Sequence, residues 1–361
     1  MMSGESGLQS LEGKRILVTG GTGSLGQVLV RRLLMGELGQ LSKIIVFSRD
    51  EAKQHAMRVA YKHKRAVTDE IIYRNFEELL EFRIGDVRDL HSIAAALRSA
   101  DVVFNAAALK QVPTCEYFPY EAVQTNIGGP ENIVRAIQEY QLPVQTVVGI
   151  STDKACKPVN VMGMTKAIQE RIFIRANLSC PDTRFICARY GNVLASRGSV
   201  IPLFHEQIRN GGPVTITTPE MTRFLLSMEQ AVDTILAAFC WGKRGDTYIP
   251  RVPSARITAI ASALIGERPV KTIITGIRPG EKVHEILVSE EEAHRTLIRE
   301  NYYVISPILP ELCCPDQDGQ WLGREYSSAD NLMSHEQVRL LLQHTGLLLS
   351  DYVVPEDELL R

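Results

Sequence analysis

The 361-residue sequence predicts an α/β protein: a doubly wound parallel sheet followed by a smaller α/β lobe. Three observations carry the expectation. Short, nearly continuous apolar runs alternate with helical patterns through the first 190 residues, as strands covered by helices on both faces require. A glycine-rich turn, VTGGTGSLG (18–26), follows the first run and opens a helical pattern. Beyond about residue 190 the rhythm breaks. Pro and Gly become frequent (NGGPVTITTPE, IPRVPSARIT, GIRPGEK) and the apolar runs shorten.

Taken in order, RILVTG (15–20), KIIVFS (43–48), LEFRIGD (80–86), DVVFNAA (101–107), QTVVGIS (145–151) and RFICARYG (184–191) read as buried strands. Helices are expected over 25–35 and over 131–140, where Ile133, Ala136 and Ile137 share a face. This is the Rossmann-like arrangement, so 1–190 reads as a nucleotide-binding domain and 191–361 as a substrate-binding lobe. The two are expected to interleave, with about 224–248, including EQAVDTILAAF (229–239), packing back on the first domain. No internal repeat occurs, and CCPDQDGQW (313–321) predicts no clear element.

Composition narrows the function. The chain is 45% apolar, normal for a full core, and its formal net charge is -2. No basic excess marks a nucleic-acid protein, so any phosphate must meet local arginines. Seven scattered cysteines form no CxxC pair, which suits reduced thiols. The start, MMSGESGLQSLEGKR, lacks the apolar core of a signal peptide, and no apolar run reaches the ~18 residues of a membrane helix. A cytoplasmic protein with no membrane segment is expected.

In the glycine turn, Gly20, Gly23 and Gly26 let backbone approach a pyrophosphate at a helix amino end. After the second strand comes FSRDE. Ser48 and Arg49 precede Asp50, and an arginine can fork onto a ribose 2′-phosphate, so NADP is the expected cofactor. The bland alternative makes Arg49 a surface residue and Asp50 a helix cap. Asp86 stands where adenine would lie, or else caps the next helix. Thr22, Ser24, Leu25, Val87, Ala106, Ala107 and Ala108 complete the expected cofactor-binding set.

Six blocks together carry a resemblance: TGGTGSLG, AAALKQVPTCEYFPYEAVQTN, STDKACKPVNVMGMTK, RYGNVLASRGSVIPLF, MTRF and GIRPGEKVHE. In this order, from about 15 to 290, they resemble nucleotide-sugar 4,6-dehydratases of the extended short-chain dehydrogenase family. The branch resembled acts on UDP-N-acetylglucosamine in capsule, O-antigen and flagellin-sugar pathways. The general family carries a tyrosine four residues before its lysine. Here that position is Met162, before Lys166, and in the capsule branch methionine likewise replaces the tyrosine.

The resemblance implies a lyase with three steps. Hydride leaves sugar C4, water is lost across C5 and C6, and hydride returns to C6, with inversion at C5 left open. It implies Asp153 as acid at the C6 oxygen and Lys154 as base at C5. Lys166 would hold the nicotinamide ribose, and the Thr152 hydroxyl would bond the sugar. Met162 reads either as packing in the tyrosine's volume or as an apolar group that dries the site. With no tyrosine, Lys154 would also serve at the C4 hydroxyl. Lys110 would touch substrate, or only pair with Glu116.

At the nucleotide end Asn192, Arg197 and Ser199 would approach the diphosphate or uridine, Arg223 and Arg278 would meet phosphates, and Glu281 would accept from a ribose diol. EKVHE (281–285) lacks the second histidine of a zinc helix, and no metal is called for. The implied partners are a UDP-linked amino sugar and, by analogy, further copies of the chain in a homo-oligomer. Two rival readings stand beside this one. They are a UDP-sugar 4-epimerase, and a catalytically silent NADP-binding regulator suggested by Met162.

Overall fold

The computed structural model describes residues 9–62, 76–194, 199–313 and 319–349. The strands, in chain order, are β1 (Arg15–Thr19), β2 (Lys43–Ser48), β3 (Leu80–Ile84), β4 (Val102–Asn105), β5 (Thr146–Thr152), β6 (Arg184–Tyr190), β7 (Val214–Ile216), β8 (Thr222–Phe224), β9 (Thr247–Pro250), β10 (Ser254–Arg256), β11 (Thr272–Ile274), β12 (Ile286–Val288), β13 (Thr296–Arg299), β14 (Tyr302–Ile305) and β15 (Tyr326–Ser327). Nine of them form one sheet in the order β13-β14-β9-β6-β5-β4-β1-β2-β3. From β3 to β9 every pairing is parallel. The order reverses at β1, between β2 and β4, and ligands of such sheets bind beyond the strand ends at that switch.

The parallel strands are apolar end to end because helices cover both faces. Leu17, Ile45, Val103, Val147 and Phe185 pack in one cluster with Ile93, Leu97, Ile133, Ile137 and Phe173 from the helices. Those helices are α3 (Leu90–Leu97), α6 (Gly129–Glu139) and α7 (Val161–Ser179). Earlier in the chain come α1 (Ser24–Leu34) and α2 (Glu51–Lys62), followed after α3 by the short α4 (Val112–Tyr117) and α5 (Pro119–Val123).

The chain divides into two compact units. The first comprises 1–190, 229–251 and 288–325, and the second 191–228, 252–287 and 326–361. Helix α9 (Met228–Trp241) lies almost wholly in the first. Segment 288–325, expected in the second lobe, belongs to the first. Its physical reason is the β13–β14 hairpin, which pairs antiparallel with β9 and extends the large sheet. The second unit holds α8 (Val200–Arg209), α10 (Ile257–Ile265) and α12 (His335–His344) around Phe204, Ile208, Ile260, Leu264, Val338 and Leu342. Small two-stranded sheets, β10–β8 and β11–β7, complete it. Among the described residues no helix is long and apolar enough to cross a membrane.

Candidate active site

The glycine turn sits at the end of β1, at the sheet's switch point. Gly20 has φ 65°, and a Cβ there would lie 2.8 Å from the Ala107 amide nitrogen. Only glycine fits both conditions. A Cβ on Gly26 would stand 2.6 Å from the Gly20 carbonyl oxygen, so this glycine lets α1 close on the turn. Gly23 differs. A Cβ there would meet only the Gly20 oxygen, at 3.3 Å, and φ is an ordinary -74°. It is the N-cap of α1 and offers no side-chain hydrogen bond to the helix's first amides. Those amides need partners, and the arrangement fits a pyrophosphate. Thr19 Oγ1 donates to Asn105 Oδ1 (2.7 Å) and accepts from the Ala107 amide (3.2 Å), which joins the turn to residues 106–108.

At the end of β2, Ser48 and Thr22 hydroxyls lie 2.9 Å apart. Asp50 caps α2: Oδ1 accepts from the Lys53 amide (2.9 Å) and Oδ2 pairs with Lys53 Nζ (2.9 Å). The Lys53 hydrogen bonds hold its carboxyl below the usual value. Both oxygens are thereby committed to α2. Arg49 is half exposed and reaches Asp86 at 3.5 Å. Asp86 does not cap α3. That role belongs to Asp89, which accepts from the His91 and Ser92 amides. Asp86 instead accepts from the Arg88 amide and Nε (2.9 Å each), and although burial opposes it, these bonds lower its pKa. Val87 is buried beneath Gly129.

The segment expected to be catalytic leaves β5 and makes a single 3-10 turn, Asp153–Ala155. Asp153 is fully buried. Its Oδ1 accepts from the Thr152 hydroxyl (2.8 Å) and from Lys154 Nζ (3.1 Å), while its Oδ2 has no partner among the described atoms. Helix α7 begins at the Asn160 cap, which accepts from the Gly163 amide. A Cβ on Gly163 would fall 2.2 Å from the Lys154 carbonyl oxygen, so this glycine lets α7 lie against the turn.

Met162 is buried with Cys115 and Ala122 in a small apolar cluster bordered by Leu109, Val112 and Val161. That is the packing role. Lys166 is buried, and its Nζ donates to the Ile150 carbonyl and to Gln169 Oε1 (2.7 Å). Burial lowers its pKa to about 8, against the opposing pull of Cys187 and Glu170. Asn126 ties the loop before α4 to α7: it bonds both the amide and carbonyl of Leu109 and donates to Thr165 Oγ1 (3.0 Å). Lys110 is exposed, and Glu116 accepts from the Val161 amide at 2.7 Å. Gly163, Gln169 and Asn126 escaped sequence reasoning. The helical spacing from Lys166 to Gln169 is the one available signal.

In the second unit, Asn192 Oδ1, Ser199 Oγ and Glu281 Oε2 are buried without partners among the described atoms. Buried polar atoms ordinarily have partners, and these three belong to residues expected at a nucleotide. Arg223 is otherwise engaged: Nη1 donates to the Thr222 and Val283 carbonyls (2.7 and 3.1 Å), and Nε lies 3.7 Å from Glu285. Arg278 is exposed. Arg197 lies outside the described residues. His284 of EKVHE bonds Thr222 Oγ1 through Nδ1 at 2.8 Å. No cluster of three metal-ligating side chains occurs among the described residues.

Fold and site together define a Rossmann-like α/β protein with a glycine turn after β1 and an acid–amine pair after β5. Residues 16–307 match the family model described as polysaccharide biosynthesis protein, and the chain belongs to that family. It is 41% identical over 359 residues to a protein of Rickettsia bellii (strain OSU 85-389) named UDP-glucose 4-epimerase, covering 95% of this chain and 98% of the relative. Among solved structures, Pen from Bacillus thuringiensis superposes with TM-score 0.83 at 30% identity, over 94% of this chain and all of that one. DesIV from Streptomyces venezuelae, a dTDP-glucose 4,6-dehydratase solved with NAD and TYD, superposes with TM-score 0.62 over 74% of this chain and 86% of its own. At 20% identity that likeness speaks for the fold alone.

Proposed function

We propose that the protein is a nucleotide-sugar 4,6-dehydratase that converts UDP-N-acetylglucosamine to a UDP-4-keto-6-deoxy-hexosamine with NADP. The observation that carries this reading is the Asp153–Lys154 pair, with one aspartate oxygen held by Thr152 and Lys154 and the other without a partner. A C4 ketone acidifies the C5 proton. Lys154 then takes that proton, and Asp153, through Oδ2, gives one to the departing C6 oxygen. Removal of hydride at C4 and its return at C6 are the chemistry that a bound nicotinamide supplies. Met162 moves no proton, so Lys154 would first take the proton of the C4 hydroxyl and pass it to Asp153, which it and the Thr152 hydroxyl both contact. Asp153 would then release that proton with the C6 oxygen, and Lys154, neutral again, would take the C5 proton and return one to C5 as hydride reaches C6.

Gly20, Gly23, Gly26 and the first amides of α1 would hold the cofactor's pyrophosphate. Arg49 would meet the 2′-phosphate, since it stands half exposed just beyond β2 while Asp50 caps α2. Lys166 would donate to the nicotinamide ribose. In the second unit Asn192, Ser199 and Glu281 are the residues to meet the UDP end. Arg278 is the better phosphate partner of the two described arginines, because Arg223 is engaged by carbonyls and Glu285.

The name of the Rickettsia bellii relative favours a second reading, 4-epimerisation. An epimerase needs no base at C5 and no acid at C6, so the Asp153–Lys154 pair argues for elimination. Incubation with UDP-N-acetylglucosamine decides by mass. Loss of one water supports the dehydratase, and unchanged mass with a new epimer supports the second reading. An unchanged substrate with tight NADP binding would make the protein a silent binder. Lys154→Met should abolish reduction of bound NADP+ as well as water loss. A Lys154→Met enzyme that accumulates NADPH and the 4-keto sugar would refute the double role.

A further inference from the structure

We propose that Arg189 is the positioning residue of the catalytic turn, acting through two carboxylates that it holds at once. This rests on the dehydratase reading for the identity of the reaction, and on geometry for the rest. Arg189, near the end of β6, is buried. Its Nε and Nη2 fork onto Glu170 (2.9 and 2.6 Å), and its Nη1 and Nη2 fork onto Glu292 (2.8 and 2.9 Å). Each carboxylate reaches one end of the catalytic segment. Glu170 Oε1 accepts from the Ser151 hydroxyl at 2.5 Å, and Glu292 Oε2 lies 3.7 Å from Cys156 Sγ. Asp153 and Lys154 lie between those two anchors.

Each anchor is itself fixed. Glu170 is one helical turn beyond Lys166 on α7, and both side chains are buried. Glu292 closes a capping box with Ser289 at the start of α11 (Glu290–Ala293). Beside these polar anchors, the packing just after the turn is open on one side. Residues 155–158 border a cavity of about 290 Å³ that Glu170 and Arg189 also line, and neither Asp153 nor Lys154 lines it. The chain from Ala155 to Pro158 therefore lacks close-packed neighbours on one side. A misplacement of about 1 Å at a reacting group can cost roughly a hundredfold in rate, so an anchor of this kind acts on turnover more than on binding.

Loss of Arg189 alone would leave the buried Glu170 carboxylate without its ion pair and Glu292 with only the longer contact to Arg295 (3.8 Å), and such a variant can fail to fold. The informative variant replaces the three charged side chains together, E170M/R189M/E292M, because replacing a buried ion network by hydrophobic groups of similar size is often neutral for stability. The account expects this variant to fold, with KM for UDP-N-acetylglucosamine within about threefold of wild type and kcat, at saturating NADP, lower by about a hundredfold. Amide hydrogen exchange over 151–156 should accelerate. R189K, which keeps the charge but not the forks, should recover only part of kcat. A folded triple variant with kcat within threefold of wild type and unchanged exchange over 151–156 would overturn the proposal. So would a variant whose KM rises while kcat holds. The exchange readout separates this inference from the functional reading. If the wild type releases no water from the sugar, the reaction is misassigned, yet exchange over 151–156 still judges the anchor.

Discussion

At the scale of single residues, the site contrasts two lysines. Lys154 has a partly exposed side chain and touches Asp153, whereas Lys166 is sealed beneath β5 with its amine on the Ile150 carbonyl and Gln169. Burial brings Lys166 to about 8, so without ligand it loses its charge as pH rises through that value. Its ammonium favours an anionic cofactor. NADP affinity measured calorimetrically should therefore weaken above pH 8, approaching tenfold per pH unit, and Lys166→Met should flatten the dependence. Equal slopes in the two proteins would remove Lys166 from cofactor binding. Arg49→Ala should weaken NADP by about tenfold or more and leave NAD nearly unchanged, since only NADP carries the 2′-phosphate. Equal losses for both cofactors would contradict that assignment. Met162 shows how far a sequence can be read. Its failure to transfer protons was legible from its chemistry. Its burial against Cys115 and Ala122 was not, because α4, α5 and α7 meet only in the fold.

At the scale of elements, the glycine turn separates packing from binding. Gly26→Ala places a carbon 2.6 Å from backbone that cannot move aside, and should cost about 1–3 kcal/mol in a thermal melt. Gly23→Ala meets no such wall and should melt close to wild type, but it crowds the N-terminus of α1 and should weaken the cofactor by about tenfold. The reverse pattern would mean that the turn is structural and not a cradle. The apolar runs predicted β1 to β6 closely, because a strand buried on both faces needs an uninterrupted run. KIIVFS is β2 residue for residue. The same logic was silent on β9, β13 and β14. These strands are four residues each and complete the sheet through pairings, not through pattern. The Glu170–Arg189–Glu292 cluster was equally hidden. Its partners stand 19 and 103 residues from the arginine, and no local spacing brings them together.

At the scale of the whole molecule, buried charge sets the response to acid. Burial alone would raise the Glu292 carboxyl, but the Arg189 charge and hydrogen bonds win and hold it at about 2. Its folded value lies below the ordinary carboxylate value of about 4.3, so its contribution to stability is complete above that pH and is lost as pH falls toward 2. Chemical denaturation should find Glu292→Gln less stable than wild type at neutral pH, with the deficit closing between about pH 4.3 and 2. A deficit that stays constant over that range would mean that Glu292 is not ionised against Arg189. The same cluster connects stability to chemistry, because its carboxylates contact Ser151 and Cys156, on either side of the acid–amine pair on which the proposed reaction depends. That reaction has one direct test: incubation with UDP-N-acetylglucosamine and NADP in heavy water, followed by mass and proton spectra of the sugar. The account predicts a product lighter by one water, with solvent deuterium at C5. A product of the original mass, epimeric at C4 and free of deuterium at C5, would contradict it.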